Sequence, residues 1–222
     1  MGSTWFTSDL HLGHTNIITY CNRPFSNVDE MNEALIEAWN SVVYPSDQVF
    51  ILGDLALGHV EDSLPLVSFL AGHKILVPGN HDRCWENPAR NSSTRNSATG
   101  TSSAKTSSSL RRPPSEWALT YLEHVQEIRP SGTFSHPALD RPVVLSHFPY
   151  VGDSGPSDRF LEARPADRGE WLLHGHVHDV WRQRNRQINV GVDAWAGRPV
   201  NLDEIASVIE EGPRHLERLP WR

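Results

Sequence analysis

Five short apolar runs shape this chain, and each is followed within a few residues by aspartate, asparagine or histidine. The runs cover residues 4–8, 49–52, 75–78, 143–146 and 171–173. Their length and their branched and aromatic content predict β-strands that are buried on both faces. If such strands lie side by side, their ends meet at one edge of a sheet, where α/β proteins bind ligands. We therefore expect polar side chains from distant parts of the chain to form one site.

The polar residues that follow these runs are of types that bind metal ions. They are Asp9, His11, Asp54, Asn80, His81, Asp82, His147, His174, His176 and His178. Asp9 and His11 can offer an oxygen and an imidazole nitrogen to one cation. Gly53 permits a tight turn before Asp54, whose two carboxylate oxygens can bridge two metals. Each motif alone is also typical of a polar turn, but the set as a whole predicts one binuclear metal centre.

The fold class follows from alternation of strand-like and helical segments. The candidate helices are 29–43, 61–70, 116–125 and 203–210, and a late candidate strand is 187–192. This order is typical of an α/β fold. A length of 222 residues with 38% hydrophobic content is enough for a sizeable core, and we expect a single domain over 1–222.

A stretch rich in serine and threonine interrupts this pattern. Residues 91–109 contain almost no apolar side chains, so they cannot offset the entropy lost on ordering. We predict a flexible insertion at about 88–114, close in sequence to Asn80. A passive surface excursion is the favoured interpretation, since exposed loops tolerate added length.

Charge and cysteine content limit the partners and the compartment. The formal net charge of −7 argues against extended nucleic-acid binding, because such surfaces are usually basic. Two cysteines, Cys21 and Cys84, are too few for a disulfide framework and fit a reducing compartment. The chain shows neither an apolar stretch of transmembrane length nor the pattern of a secretion signal. These features predict a cytoplasmic protein without a membrane partner.

The chain resembles the calcineurin-like metallophosphoesterases in the order and approximate spacing of its motifs. These are Asp9-x-His11, Gly53-Asp54, Gly79-Asn80-His81-Asp82, His147 and Gly175-His176-x-His178. Residues 9–18 and 22–25 are similar to a group of small, single-domain prokaryotic or phage members. The resemblance implies the metallophosphoesterase fold, a two-sheet sandwich flanked by helices. It implies one metal bound by Asp9, His11, Asp54 and His178, and a second bound by Asp54, Asn80, His147 and His176.

The charges of such a site predict its chemistry. Two divalent ions outweigh Asp9, Asp54 and a bridging hydroxide, so the site attracts phosphate, and the hydroxide attacks phosphorus. His81 is the predicted catalytic residue, which protonates the leaving oxygen or neutralises charge there, with Asp82 fixing its tautomer. Mixed carboxylate and imidazole ligands suit divalent transition metals. We favour Mn²⁺, with Fe and Zn²⁺ as alternatives.

Two further residues are candidates for binding the substrate phosphate. His14 lies close to His11 in sequence, and Arg23 offers a guanidinium that can bind phosphate through two hydrogen bonds. A structural hydrogen bond for His14 and a solvated loop position for Arg23 remain open alternatives. His174 is expected to be a buried, hydrogen-bonded histidine, and Asp193 is expected to border the pocket.

The predicted function is metal-dependent hydrolysis of a phosphodiester, including cyclic or nucleotide phosphodiesters. A small chain without a cap domain favours an open site that accepts small nucleotides or RNA ends. Phosphomonoesters and nucleotide pyrophosphates are alternative substrates for the same metal core. A non-catalytic metal-binding module is a less favoured alternative from another class. The sequence does not indicate an oligomeric state.

Two other enzyme classes are disfavoured by the sequence. Residues 152–156, Gly-Asp-Ser-Gly-Pro, are similar to the nucleophile segment of chymotrypsin-like proteases, but the all-β pattern and disulfides of that class are missing. A nucleotide-binding P-loop is excluded because the motif Gly-x-x-x-x-Gly-Lys-Ser/Thr does not occur.

Overall fold

The computed structural model describes residues 2–88 and 112–221. Within these ranges the chain forms eleven strands. They are β1 (Thr4–Thr7), β2 (Gln48–Ile51), β3 (His73–Leu76), β4 (Glu127–Ile128), β5 (Gly132–Phe134), β6 (Val143–Leu145), β7 (Leu172–His174), β8 (Gln183–Asn185), β9 (Gln187–Asn189), β10 (Val200–Asn201) and β11 (Arg214–Leu216). Each of the five apolar runs overlaps a strand, β1, β2, β3, β6 or β7, as predicted.

The strands form two sheets. The first has the order β10-β1-β2-β3-β4, and the second has the order β11-β8-β9-β7-β6-β5. Neighbouring strands from β1 to β4 are parallel, and so are β6, β7 and β9, while the remaining pairs are antiparallel. The five apolar runs therefore divide between two sheets instead of lying side by side in one.

Register and backbone hydrogen bonds bring the carboxyl ends of both sheets together. In the first sheet Thr7 pairs with Ile51, and Ile51 pairs with Leu76, so β1, β2 and β3 end at the same level. Just beyond β1, the carbonyl of Ser8 accepts a hydrogen bond from Val192 N at 3.1 Å. Because Val192 follows β9 of the second sheet, this bond links the ends of the two sheets.

Alternate residues of β2 contribute to two separate hydrophobic clusters. Val49 and Ile51 belong to the cluster that includes the helices, whereas Phe50 belongs to the cluster between the sheets. This alternation follows from the two-residue period of a strand. The second cluster also contains Phe6 from β1 and Leu173 from β7, so it holds the sheets face to face. The fold is a two-sheet sandwich flanked by helices, as the family resemblance implies.

Four predicted helical segments are confirmed with altered bounds, and α1 is an addition. The helices are α1 (Thr15–Tyr20), α2 (Val28–Asn40), α3 (Val60–Ser63), α4 (Pro114–Tyr121) and α5 (Leu202–Glu210). The predicted helix at 61–70 is α3 followed by a 3₁₀ helix at Leu64–Phe69, because Pro65 lacks the N–H of a regular helix. Asn27 caps the N-terminus of α2, and its side chain accepts a hydrogen bond from Glu30 N at 2.9 Å.

The insertion, membrane-spanning segments and cysteines were also subjects of the sequence predictions. The predicted insertion at about 88–114 falls largely on residues 89–111, which lie outside the described residues. None of the helices in the described part of the chain combines the length and apolar character needed to cross a membrane. Cys21 and Cys84 are both buried and carry free thiols.

The packing between the sheets predicts a large stability effect at Phe50. Phe50 is 2% exposed, stacks on Phe6 at a centroid distance of 5.5 Å and contacts Phe134 edge-on at 5.1 Å. Phe50→Ala should lower the free energy of unfolding by about 3–5 kcal/mol, because it removes these contacts and leaves a cavity. Phe69→Ala is the matched control, since Phe69 is 67% exposed and its loss should cost less than about 0.5 kcal/mol. Denaturant titration measures both, and equal losses would contradict the assigned core.

Candidate metal centre

Backbone pairing continues beyond the strands and positions the polar residues that follow them. Asp9 N donates to the Gly53 carbonyl at 3.0 Å, and His11 N donates to the Asp54 carbonyl at 3.0 Å. The loop after β1 is therefore held against the loop after β2. Asp9 and His11 are fixed relative to Asp54 before any ligand is considered.

Five of the predicted metal ligands have left-handed backbone conformations. Their φ angles are 56° at Asp9, 52° at His11, 55° at Asp54, 71° at His176 and 50° at His178. For residues with a Cβ atom this conformation costs about 1–2 kcal/mol each. Such strain concentrates at functional sites, where the surrounding structure maintains it. The paired loops after β1 and β2 provide that support here.

Glycine is required where three strand ends approach one another. Gly53 has a φ angle of +91°, which confirms the tight turn predicted before Asp54. A Cβ atom on Gly79 would overlap Asp54 Oδ1 and would lie 2.7 Å from His147 Nδ1. The segments that follow β2, β3 and β6 can therefore meet only because residue 79 has no side chain.

One oxygen of Asp54 lies between two histidines. His11 Nε2 is 3.6 Å from Asp54 Oδ2, and His147 Nε2 is 3.5 Å from the same oxygen. The other oxygen, Oδ1, accepts a hydrogen bond from His81 N at 2.9 Å. Asp54 is thus oriented by the backbone on one side and presents its second oxygen to two imidazole rings.

Two groups of side chains could each hold a cation. The atoms of Asp9, His11 and His178 lie within 4.8 Å of one another, as do those of Asp9, Asp54 and His147. Both groups consist of carboxylate oxygens and imidazole nitrogens, which are ligands for divalent transition metals. The structure thus brings residues from four distant segments to one place, as the sequence predicts.

The protonation of His147 indicates a missing positive charge. His147 Nδ1 lies 2.8 Å from the Leu52 carbonyl oxygen, which can only accept, so Nδ1 carries the proton. Burial lowers the pKa of His147, so the ring is neutral and Nε2 is an acceptor. Nε2 nevertheless faces the amide oxygen of Asn80 at 3.1 Å and Asp54 Oδ2 at 3.5 Å. Three acceptors that converge in this way fit a cation among them.

Several of the converging atoms have no hydrogen-bond partner. Among the described residues, both ring nitrogens of His11, Oδ2 of Asp54 and Nδ1 of His178 are buried and unpartnered. Buried polar atoms are normally hydrogen-bonded, and each exception needs an explanation. A divalent metal ion would satisfy Asp54 Oδ2 and one ring nitrogen of His11, so the residues present fit the cofactor that the sequence predicts.

Electrostatics at the site point the same way. Burial and the neighbouring charge of Asp9 raise the pKa of Asp54 well above that of a free carboxyl. Burial lowers the pKa of His11, and the nearby His178 lowers it further. His178 differs, because Asp9 and Asp193 hold its pKa well above the usual value despite burial. A metal ion at His178 would replace that proton and supply the charge that both carboxylates attract.

His176 is oriented by a carboxylate that sequence reasoning does not identify. His176 Nε2 lies 3.1 Å from Asp153 Oδ2, so Nε2 is the donor. Burial lowers the pKa of His176 to about 3, which leaves Nδ1 as the nitrogen with a free lone pair. Asp153 itself is held by Arg159 at 2.6 Å and Arg164 at 3.2 Å. In the sequence, Asp153 is noted only within the protease-like segment 152–156, and nothing there links it to His176.

His81 and Asp82 have separate roles in the structure. His81 is exposed, its ring centroid is 5.4 Å from that of His11, and burial of part of the ring lowers its pKa to about 4. Asp82 is buried and accepts hydrogen bonds from the backbone N–H groups of Asp54, Leu55 and Gly79. The prediction that Asp82 fixes the tautomer of His81 is therefore wrong. Its carboxylate braces the backbone around Asp54.

His14 lies beside the site, and Nδ1 of its ring makes no hydrogen bond to any described residue. The ring centroids of His14 and His11 are 5.3 Å apart, and His14 Nδ1 has no partner among the described residues. At the start of α1 its side chain makes no capping hydrogen bond. The position leaves His14 as a candidate for contact with a substrate phosphate.

Arg23 does not face the site, and its predicted phosphate contact is corrected. Its guanidinium is buried, and hydrogen bonds engage all of its donor nitrogens. Nε and Nη2 bind the two oxygens of Asp193 at 2.9 and 2.8 Å, and Nη1 and Nη2 also bind the carbonyls of Leu10 and Asp9. No donor remains for a phosphate. Arg23 instead ties the Asp9 segment to Asp193.

Asp193 and His174 also occupy buried positions. Asp193 Oδ2 is 3.6 Å from His178 Nδ1, and Arg23 lowers the pKa of Asp193 to about 2 although burial opposes its charge. Asp193 therefore borders the predicted ligand His178. The expected satisfied core histidine is only partly confirmed. His174 Nδ1 lies 2.7 Å from the Gly175 carbonyl, but Nε2 has no partner among the described residues.

The burial of Arg23 predicts a stability defect on its removal. Arg23→Met removes the guanidinium that binds both buried oxygens of Asp193 and should lower the free energy of unfolding by about 3–5 kcal/mol. Arg186→Met is the matched control, because Arg186 pairs with Asp167 at the exposed surface. Its loss should lower the free energy of unfolding by at most about 1 kcal/mol. Thermal or denaturant unfolding compares them. A stable Arg23→Met variant with only a raised KM would restore the phosphate-binding role.

Comparison with known proteins identifies relatives along almost the whole chain. A family model described as calcineurin-like phosphoesterase matches residues 2–180. The Gene 66 protein of Mycobacterium phage L5 is 34% identical over 216 residues, which cover 94% of this chain and 95% of that protein. The Gene 66 protein of Mycobacterium phage D29 is 35% identical over 223 residues, which cover 96% of this chain and 100% of that protein.

A more distant likeness is seen among solved structures. The crystal structure of a protein of unknown function from Aquifex aeolicus aligns with a TM-score of 0.61 at 22% identity. The alignment covers 94% of this chain and 100% of that chain, and it shows a shared fold. The family match and the phage relatives confirm the resemblance found in the sequence, and the chain belongs to the calcineurin-like phosphoesterase family.

Proposed function

We propose that this protein is a binuclear-metal-dependent phosphoesterase that hydrolyses phosphodiesters, including cyclic and nucleotide phosphodiesters. Membership of the family supports metal-dependent phosphoester hydrolysis. The observation that carries the binuclear assignment is the position of Asp54 Oδ2, which is buried, unpartnered and 3.5–3.6 Å from both His11 and His147. A bridging carboxylate needs this placement between two ligand groups.

The proposed ligands form two sets that share Asp54. The first set is Asp9, His11, Asp54 and His178, and the second is Asp54, Asn80, His147 and His176. Support for the first set comes from the convergence of Asp9, His11 and His178. Support for the second comes from the acceptor nitrogen of His147 beside Asn80 and from the free lone pair of His176 Nδ1.

The residues around each ligand support the same assignment. Asp153 holds the Nε2 proton of His176, and the Leu52 carbonyl holds the Nδ1 proton of His147. Such hydrogen bonds fix the tautomer of a metal-binding histidine and raise its basicity. The ring orientation is thereby established by the fold in advance of metal binding.

The two ligand sets would hold divalent ions, which when bound would supply the positive charge that attracts a phosphate and that acidifies water. The protein's part is to hold the two sets of ligands close together through the shared Asp54. Its mixture of carboxylate, amide and imidazole groups suits Mn²⁺, which we favour, with Fe and Zn²⁺ as alternatives. Cys21, His178 and Asp193 could also bind an ion, but Arg23 already occupies both oxygens of Asp193.

His81 is the proposed catalytic residue for the leaving group. Its backbone N–H is held by Asp54, and its exposed ring stands beside the proposed metal ligands. The pKa of about 4 keeps the free ring neutral at pH 7, and the negative charge of a bound phosphate would raise that pKa. The ring can then donate a proton or hydrogen bond to the departing oxygen. His14, whose ring centroid lies 5.3 Å from that of His11, is the proposed contact for a phosphate oxygen.

The phosphodiester preference rests on the accessibility of His81. An exposed leaving-group residue accepts a second ester substituent on phosphorus without a steric conflict. Phosphomonoesters and nucleotide pyrophosphates are alternative substrates for the same core. A non-catalytic metal-binding module is the alternative from another class, and turnover of bis(4-nitrophenyl) phosphate after addition of Mn²⁺ separates it from an enzyme. Comparison with 4-nitrophenyl phosphate separates diesters from monoesters.

The shared ligand predicts the effect of Asp54→Ala. Since this carboxylate is proposed to contact both ions, its loss should abolish turnover and reduce the metal content of the purified protein. Asp140→Ala is the control, because Asp140 is an exposed carboxylate that belongs to neither proposed ligand set. Elemental analysis by plasma mass spectrometry measures metal per chain. Two ions retained by Asp54→Ala would sink the bridging assignment.

The proposed role of His81 predicts a dependence on the leaving group. His81→Ala should keep its metal content and slow the hydrolysis of alkyl or nucleotide diesters by about 10²–10⁴-fold, the usual scale of general acid catalysis. Nitrophenyl esters should slow less, because their leaving group needs less protonation. Steady-state kinetics on both substrate types make the comparison. An equal loss on both would show that His81 acts through phosphate binding or geometry.

A further inference from the structure

A large cleft opens beside the candidate metal centre. Its volume is about 880 Å³, within the range of small-molecule binding sites. Asn80 and His81 form part of its wall, so the cleft is continuous with the proposed ligands and with the leaving-group residue. A substrate whose phosphate is bound at the metals would extend into this space.

Aromatic side chains form a second part of the wall. Trp85 and Phe160 both line the cleft and contact each other edge to face, at a centroid distance of 5.8 Å and an angle of 86°. Both also pack on Phe148, at 5.5 and 5.3 Å. The ring of Phe160 lies 5.6 Å from that of His176. These contacts fix the two rings relative to the proposed metal ligands.

The backbone of Phe160 is strained. Its φ angle is 54°, a left-handed value that is unusual for a bulky side chain. The preceding loop is held by Asp153, which accepts hydrogen bonds from the backbone N–H and guanidinium of Arg159. The same carboxylate binds His176. One residue therefore positions both a proposed metal ligand and an aromatic wall of the cleft, and it maintains a conformation that would otherwise be unfavourable.

Cationic side chains stand at the other wall of the cleft. Arg112 and Arg83 lie over the ring of Trp117, at 4.6 and 5.9 Å from its centroid. Both arginines are exposed, and the protein carries a net charge of −7 overall. These two guanidinium groups can attract an anionic substrate to this opening.

We propose that this cleft binds the nucleobase of a nucleotide substrate, with Trp85 and Phe160 providing the stacking surface. The proposal rests on the function proposed above and names the part of the substrate that lies outside the metal centre. A nucleobase is flat, and any of the bases can stack on aromatic rings. The cleft combines such rings with cationic side chains and a neighbouring phosphate site. An aliphatic phosphoester could not stack on this aromatic wall.

Binding of AMP and ribose 5-phosphate to the Mn²⁺-loaded protein tests the proposal. Both ligands carry the same phosphate group, and only AMP carries a base. Isothermal titration calorimetry should show that the wild-type protein binds AMP more tightly. Trp85→Leu should weaken AMP binding by about 5- to 150-fold, the range expected for loss of one stacked base. Ribose 5-phosphate binding should stay the same.

Further variants separate stacking from an effect on folding or metal binding. Trp85→Phe keeps an aromatic ring and should retain most of the preference for AMP. Phe160→Leu should reproduce the loss at the second ring, with metal content measured because Phe160 packs on His176. Phe69→Leu removes an exposed ring from outside the cleft and should leave both affinities unchanged.

Two results would overturn the base site. In the first, wild-type protein binds AMP and ribose 5-phosphate equally well, or binds neither. In the second, Trp85→Leu weakens the binding of both ligands equally and keeps its metal content. That result would show that Trp85 maintains the shape of the phosphate site. Turnover of bis(4-nitrophenyl) phosphate by the wild-type protein is measured in parallel. An active enzyme without a preference for AMP contradicts the base site alone, whereas absent turnover contradicts the proposed function.

Discussion

The close burial of two carboxylates, Asp9 and Asp54, constrains the rest of this structure. Both are at most 1% exposed, and no described side chain donates a hydrogen bond to Asp54 Oδ2. The rings nearest to that oxygen are His11 and His147, whose pKa values are lowered by burial. A buried anion without a cationic partner is costly. Protonated His178 offsets part of this charge, and bound divalent ions would balance the rest.

The fold maintains this unfavourable arrangement from several sides. Left-handed backbone conformations at the strand ends are held by hydrogen bonds between the loops, and Gly79 permits their close approach. Carboxylates behind the proposed ligands complete the support. Asp153 fixes His176, Asp82 braces the backbone around Asp54, and Asp193 stands between His178 and Arg23. Stability in this region thus depends on buried polar networks as well as on the core between the sheets.

The sequence was sufficient for the five apolar strands and for the polar residues that follow them, whereas β4, β5, β8 and β11 were not predicted. Runs such as 49–52 are short and apolar, which predicts a strand. The polar residue after each run is thereby placed at a strand end, but its contacts are not predicted. The division into two sheets could not be read from single runs, since burial on both faces is the same in either sheet. Arg23 shows a second limit. A guanidinium suits a phosphate or a buried carboxylate equally, and its true partner, Asp193, lies 170 residues away in the chain. Asp153 was missed for the same reason.

The most direct test of the account is a crystal structure of the Mn²⁺-loaded protein with anomalous scattering measured at the manganese edge. A binuclear centre should give two anomalous peaks, one on each side of Asp54 Oδ2. His11 and His178 should lie beside the first peak, and His147 and His176 beside the second. A single peak, or a peak at Cys21 with no ion next to Asp54, would contradict the binuclear centre.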